Sequence, residues 1–538
     1  MVRLADLRPS PFSRRNNSGS RVPFSVDSNP VFSVEVTFIP ALQKDRMSVE
    51  KLNAAVPDPT TSQGTGAQGI EVRSIDYVPL RERHGRVSEL GPLWFMSNAQ
   101  IATLAVGLIS ITTGGNLVWS LISIVLGTLL GTLFMAAHSA QGPQLGLPQM
   151  IQSRPQFGYV GALLVWLFAY LQYTGFNVFN TVLAGQAASA GFHAGSSKTW
   201  FWVITVIAVA VAIFGYDLIH RFERYLTYAT VAALAFLTVA ALFRLTLPAD
   251  AWNFGHFSWV PFLAQLGVAA GYQISWAIYV SDYSRYLPPS VTVRGTFRVT
   301  YWGSAAGGIW MMALGTLIAA AAGKNFDTVG SLKDAADKLL SGAGSVVSVI
   351  FALGLASVMA INMYGGSLTL ISSIDSLRRV RPTVALRVST VLLTAVLSLY
   401  AAYAASANFL TNFNNFLLLV LYFFIPWTAI NLTDYFLVRR GHYAILEIFK
   451  PKGIYGTWGW PGIVSYLLGF AVMVPFFSVG TLFTGAVASR MGGADISLFV
   501  GLPVSALLYW VLTRGIDVAG EQRLAAQQAT ELEADQAA

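Results

Sequence analysis

Asn98, Gln100, Asn180, Gln273 and Asn362 are uncharged amides set inside long apolar stretches. Each carries two N–H donors and one acceptor oxygen. Burying such a group without a partner costs free energy, so a lipid-facing helix has no use for it. Phe176 stands four residues before Asn180, and Trp276 three residues after Gln273, so each pair shares one face of a helix. A ring to stack on and an amide to read an edge are what a flat, hydrogen-bonding heterocycle requires. The structural alternatives are a core Phe with a structural Asn, and amides used in hydrogen bonds between helices. Asn98 and Gln100 are two apart and do not share a face of a regular helix. Both reach one cavity only if the chain unwinds between them; otherwise one packs against a neighbour. No Asp, Glu, Lys, Arg or His lies in the middle of these helices. A charged ligand would call for a countercharge, so the set favours a neutral polar ring.

The elements that must carry these residues are membrane spans. The chain has 538 residues, of which 54% are hydrophobic and 11% charged. Soluble proteins carry about 25% charged residues. Acidic and basic residues are absent from 90–153, 155–197, 251–281, 299–323, 339–374, 388–433 and 453–489. A span needs about 20 apolar residues, so several of these runs hold two. The pattern predicts an all-α polytopic protein with twelve transmembrane helices, near 92–113, 117–138, 159–190, 199–216, 224–246, 261–281, 298–322, 345–375, 384–406, 413–437, 461–482 and 495–513. Gly271 is the expected break point in the sixth.

Basic residues crowd alternate connections: Arg154, then Arg221 and Arg224, then Arg285, Arg294 and Arg298, then Arg378 to Arg387, then Arg439 to Lys452. The intervening connections hold only Lys198, Arg244, Lys324, Lys333, Lys338 and Arg490. The bias places both termini in the cytoplasm. It also accounts for the net charge of +8 without a nucleic-acid partner. Residues 1–90 read as a largely disordered cytoplasmic region, with a natural start expected at Met47 and 1–46 dispensable. Residues 91–514 form the transmembrane domain, and 515–538 a loose cytoplasmic helix. The segment NFDTVGSLKDAADKLLSG, from Asn325, reads as a short external surface helix. The chain has no cysteine, which excludes disulfides and thiol chemistry. No HExxH motif and no nucleophile–His–Asp set is evident, so no enzyme activity and no metal or organic cofactor is expected. Asp282 beside Arg285 reads as a helix-end ion pair, and His138 as a helix-end group.

At these residues the chain resembles the nucleobase–cation symporter-1 family. The resemblance rests on TDYFLVRRGHYAILEIFKPKGIYGTW at 433–458, on GLPQMIQSRPQFG at 146–158, and on the basic lead-in at 73–92; it extends over about residues 70–515. It implies a LeuT-type fold of five-plus-five inverted repeats with two added helices, and discontinuous first and sixth spans around a midplane site. It implies that Gln100, Asn180, Gln273 and Asn362 read the edges of the substrate, with Asn98 a second contact or a brace, and that Phe176 and Trp276 stack on the ring. It implies a plasma-membrane, cation-coupled importer of a neutral nucleobase, cytosine or a purine first and allantoin, hydantoin or uracil-like rings next; two other classes stay open, an amino-acid-type transporter on the same fold and a non-transporting nutrient receptor. The coupling ion is H+ or Na+. The cation positions implied are the carbonyls of Met96, Ala99 and Leu353 with Ala356 and Ser357. Ala356 offers no hydroxyl, which weakens a sodium site, since hard cations take oxygen ligands.

Overall fold

The computed structural model describes residues 75–535 except 215, 324–325, 379, 381–382, 406–408 and 481. The readings made for 1–74, including the start at Met47, lie outside the described residues.

The architecture is helical. In chain order the main elements are α1 (Leu90–Asn98), α2 (Ile101–Val106), α3 (Leu117–Ser139), α4 (Leu163–Phe192), α5 (Ser197–Phe214), α6 (Tyr216–Arg244), α7 (Trp259–Ser275) and α8 (Val280–Ser284). They continue with α9 (Val293–Ala322), α10 (Thr328–Asp337), α11 (Ala343–Leu377), α12 (Val384–Ala405), α13 (Phe409–Thr433), α14 (Trp460–Met473), α15 (Ser497–Leu512) and α16 (Val518–Asp535). Among the described residues, six helical segments are long and apolar enough to cross a membrane, and two bent pairs pass together, giving up to eight. The last two apolar helices, 460–476 and 497–512, are shorter. Leu126, Leu167, Trp202, Val206, Leu242, Phe243 and Tyr400 point outward and are exposed, as side chains facing lipid would be.

The first span breaks where its two amides sit. Segments 87–98 and 101–112 meet at a bend of 61°. Ala99 has φ −81° and ψ 66°, and the Gln100 N–H donates to the Asn98 carbonyl at 2.9 Å. That is an inverse γ-turn. The sixth span breaks at a 3-10 turn, Trp276–Ile278, between α7 and α8. This differs from the expected break at Gly271, which lies inside α7. A Cβ there would come within 2.9 Å of the Leu421 Cβ, so Gly271 serves the close approach of α13.

Small residues let backbones touch around these breaks. A Cβ at Gly307 or Gly315 of α9 would come within 2.5 Å of the Phe95 carbonyl or 2.4 Å of the Leu104 carbonyl. Gly127 and Gly131 of α3 lie as close to the backbone of α7. This is the small-residue packing that replaces hydrophobic drive inside a bilayer. α9 thus holds the broken first span and α3 holds the sixth.

Residues 75–90 depart from the disorder expected of the N-terminal region. Ile75, Tyr77, Val78 and Leu90 are buried. The Val78 N–H donates to the Gly146 carbonyl at 2.9 Å, and Arg83 donates to the carbonyls of Val78 and Pro143, each at 2.8 Å. The lead-in is a strap packed on the connection between α3 and α4. A helix expected within the segment from Asn325 is present as α10, burying Val329, Leu332, Ala335 and Ala336.

Candidate functional site

The helix-1 break presents Gln100 to α7. The Gln100 Nε2 donates to the Tyr272 hydroxyl at 2.9 Å and to the Ser97 carbonyl at 3.3 Å. Its Oε1 is buried and makes no hydrogen bond. Tyr272 also bonds the Thr103 hydroxyl at 2.7 Å. The Phe176 ring lies edge-on to Tyr272 with centroids 6.0 Å apart, and Trp276 lies edge-on to it at 6.1 Å. Tyr272 therefore joins Gln100, Phe176 and Trp276 from three different elements. Trp276 continues to Tyr279 at 5.0 Å, and the Tyr279 hydroxyl donates to the Asn362 Oδ1 at 2.8 Å. The Asn362 Nδ2 in turn donates to the Asn177 Oδ1 at 2.8 Å.

Asn180 lies one turn beyond Phe176 on α4. It is fully buried, and neither its Oδ1 nor its Nδ2 has a hydrogen-bond partner. The Gln172 Oε1 and the Trp276 indole nitrogen are likewise buried without one. Leaving a buried donor or acceptor unsatisfied costs about 1–3 kcal/mol. Here such costs fall on one helix, α4, and at the two helix breaks, where Gln100 and Trp276 sit.

Asn98 and Gln273 are placed elsewhere. The Gln273 Nε2 donates to the Asn98 Oδ1 at 2.9 Å, and the Ser304 hydroxyl donates to the Gln273 Oε1 at 2.7 Å. The Asn98 Nδ2 donates to the Ser304 Oγ and to the Trp94 carbonyl, each at 2.9 Å. Both amides are engaged at each end inside a closed three-residue network joining α1, α7 and α9. Tyr272 and Gln273 are adjacent, about 100° apart around the helix, so one faces Phe176 and the other faces α9.

Met96 and Ala99 flank the first break, and both are buried, as are Ala356 and Ser357 on α11; Leu353 is partly buried. The Met96 carbonyl accepts from the Ala99 N–H at 3.1 Å. A Cβ on Gly354 would lie 3.3 Å from the Met96 methyl, so α1 and α11 touch at this level. His138 stacks on Trp427 with centroids 4.6 Å apart, and its Nδ1 lies 3.3 Å from the Gln149 amide. The Asp282 Oδ1 accepts from the Gln149 N–H at 2.8 Å. Arg285 donates to the hydroxyls of Tyr286 and Tyr364, each at 3.2 Å.

Two of the three sequence markers, 146–158 and 433–458, turn out to be partners. The N–H groups of Tyr159 and Val160 donate to the carbonyls of Gly456 and Thr457, each at 2.9 Å, and the Gly459 N–H donates to the Phe157 carbonyl at 2.6 Å. Gln156 donates to Asp434 at 2.6 Å. Asp434 also takes hydrogen bonds from Tyr443 and Tyr509, each at 2.9 Å, and pairs with Arg439. The other side of Arg439 meets Glu521 of α16 at 2.9 Å, and Tyr455 donates to the same carboxylate. Glu521 is 6% exposed, so this helix is docked rather than loose at its first turn. A cavity of 510 Å³ beside this cluster is lined by Gln156, Arg439, Trp458 and Glu521 among others. None of the substrate residues expected from the sequence lines it.

Tyr272 was missed by sequence reasoning. Its neighbour Gln273 drew attention as a polar residue in an apolar run, whereas a tyrosine there reads as core. A hydroxyl placed one residue before an amide, opposite a helix break, is the signal that was available.

Two interrupted helices, with aromatic rings and unsatisfied amides near the interruptions, are an arrangement that membrane transporters use. The chain matches, over residues 77–501, the family described as permease for cytosine/purines, uracil, thiamine, allantoin, and it belongs to that family. It is 35% identical over 446 residues to the putative purine-cytosine permease YxlA of Bacillus subtilis, covering 83% of this chain and 96% of that one. It is 25% identical over 475 residues to the purine-cytosine permease fcyB of Emericella nidulans, covering 82% and 88%. Its fold is similar to that of Mhp1, a nucleobase-cation-symport-1 family transporter solved in a closed conformation with bromovinylhydantoin bound. The TM-score is 0.66 at 19% identity, covering 87% of this chain and 99% of that one. The protein is a multi-pass membrane transporter of the nucleobase permease family, and its relatives are permeases rather than enzymes.

Proposed function

We propose that the protein is a secondary active importer of a neutral nucleobase, cytosine or a purine, working by cation-coupled alternating access. The observation that carries this reading is Asn180, a fully buried amide with both polar atoms unsatisfied, one turn from Phe176. Its donor and acceptor match the donor–acceptor edge of a cytosine or an adenine-like ring. Phe176 and Trp276 flank the ring, and Gln100 contributes one edge contact. Asn362 keeps a second N–H beyond the one given to Asn177. Asn98 and Gln273 brace the broken helices in place of reading the substrate. The similarity to purine-cytosine permeases supports cytosine or a purine as the cargo.

The proposed arrangement has twelve spans in the plasma membrane, both termini cytoplasmic, and a five-plus-five repeat followed by two helices. Coupling is by H+ or Na+. Met96, Ala99, Leu353, Ala356 and Ser357 are the sodium candidates, and Ala356 supplies no side-chain oxygen, which favours the proton. Uptake of labelled cytosine and hypoxanthine into proteoliposomes, under separate proton and sodium gradients, tests the reading. Accumulation driven by one gradient supports it. Binding without accumulation identifies a receptor instead, and no binding of any base refutes the reading.

A further inference from the structure

Gln100 is not free to present either end of its amide. The Ser97 carbonyl, 3.3 Å from the Gln100 Nε2, can only accept, so the nitrogen is the end turned toward it. The Tyr272 oxygen then accepts the other N–H at 2.9 Å, and the Tyr272 and Thr103 hydroxyls share a hydrogen bond at 2.7 Å in which either can donate. Both donors of the amide are consumed inside the protein. What remains is Oε1, buried and without a partner.

We propose that Tyr272 is a positioning residue that polarises Gln100 into a pure acceptor, so that the transported ring must turn an N–H toward the helix-1 break. The inference rests on the nucleobase reading above and narrows it. The cargo is a heterocycle with an unsubstituted ring N–H on that edge. A ring whose nitrogen there carries an alkyl or glycosyl group has no proton to give and leaves Oε1 unpaired. Discrimination of this kind is strong because the penalty falls on a buried group of the protein and not only on the ligand. Asn180 does not share this polarity, since its donor and acceptor are both available. The site therefore reads one edge by a fixed acceptor and another by an adaptable amide.

Tyr272→Phe keeps the ring against Phe176 and Trp276 and removes one of the two oxygens to which the Gln100 amide donates. The test compares each base with analogues of the same shape in which C–H replaces one ring N–H, by competition against labelled cytosine or hypoxanthine in proteoliposomes. In the unsubstituted protein, one such replacement lowers affinity by about ten- to a hundredfold. In Tyr272→Phe the same ratio falls to within about threefold, because one amide N–H is released and Gln100 no longer presents an acceptor alone. A purely structural tyrosine would change both affinities together and leave the ratio as it was. A ratio unchanged in Tyr272→Phe overturns the proposal while leaving the nucleobase reading intact. Absence of binding by every base in the unsubstituted protein overturns both. Should Tyr272→Phe fail to fold, Thr103→Val decides. It removes the hydroxyl that bonds Tyr272 and so loosens the oxygen that takes the Gln100 N–H, and the ratio is expected to drop at least threefold; an unchanged ratio again refutes the role.

Discussion

Replacing Asn180 by leucine should make the empty protein more stable and the transporter useless. The side chains are close in size, and Asn180 is fully buried with no hydrogen bond to either amide atom. Each unsatisfied atom costs about 1–3 kcal/mol, and leucine removes both costs while adding apolar contact. A gain of about 1–3 kcal/mol is expected once the imperfect fit of a branched side chain is allowed for. Substrate affinity moves the other way: losing one such contact costs about 1–3 kcal/mol, or roughly five- to a hundredfold in dissociation constant. Asn362→Leu is the control, because Asn362 is bonded to both Tyr279 and Asn177. Deleting it strands a buried hydroxyl and a buried carbonyl oxygen and should destabilise by about 1–3 kcal/mol. Thermal unfolding of the purified protein, followed by tryptophan fluorescence without and with cytosine, separates the cases. Asn180→Leu should unfold higher than the parent and show no shift on adding base. A lower unfolding temperature in Asn180→Leu, matching the control, would show that the amide is a structural element and would remove it from the site.

Three further outcomes are expected. Asn98→Leu and Gln273→Leu should each destabilise, and the double variant should cost less than their sum by about 0.5–3 kcal/mol, because they break one network; additive unfolding energies would dissolve it. Arg439→Met leaves the Asp434 and Glu521 carboxylates buried without their shared cation, and should cost about 3–5 kcal/mol, read as lost expression and a lower unfolding temperature. Burial pushes the Glu521 carboxyl above its usual range, only partly offset by the Arg439 guanidinium it shares with Asp434. An acid with a raised folded-state pKa stabilises most when protonated, and that contribution fades as pH rises through the raised value. Protection of the amides across 518–535, taken relative to the intrinsic exchange rate at each pH, should therefore rise on acidification through the carboxylate range and turn insensitive in Glu521→Gln; protection that falls on acidification contradicts the assignment.

The breaks show what sequence can and cannot reveal. The interruption at Asn98–Gln100 was legible because two amides two apart cannot be served by one helix face. The break in the sixth span was not. Gly271 looked like a flaw in the helix, yet its missing Cβ answers to Leu421 on a helix far along the chain. The amides at 98 and 273 were legible as polar groups needing partners, but their mutual bond depends on Ser304, a residue unremarkable among the small side chains of its helix. The orphaned state of Asn180 is also invisible in sequence, since any buried asparagine can find a partner in the folded state. Glu521 lay in a tail whose composition suggested a loose helix, and only the fold brings it to Arg439. Local chemistry was readable wherever a residue type conflicted with its surroundings. Pairings set by distant backbone approach were not.

The closed network of Asn98, Gln273 and Ser304 has a kinematic consequence. It ties the first half of the broken first span to the first half of the broken sixth and fastens both to α9. Sliding one against another would break several buried hydrogen bonds at once, so these pieces travel as a single lever. In the alternating access proposed above, the motion is then taken up where that lever ends: at the turn through Ala99, at the 3-10 turn from Trp276 to Ile278, and against α4 and α11. The residues proposed to hold the cargo lie along that seam, with Gln100 and Trp276 at the two turns and Phe176, Asn180 and Asn362 on the facing helices. A ring seated there spans a mechanical joint, and its departure is felt directly by the parts that swing.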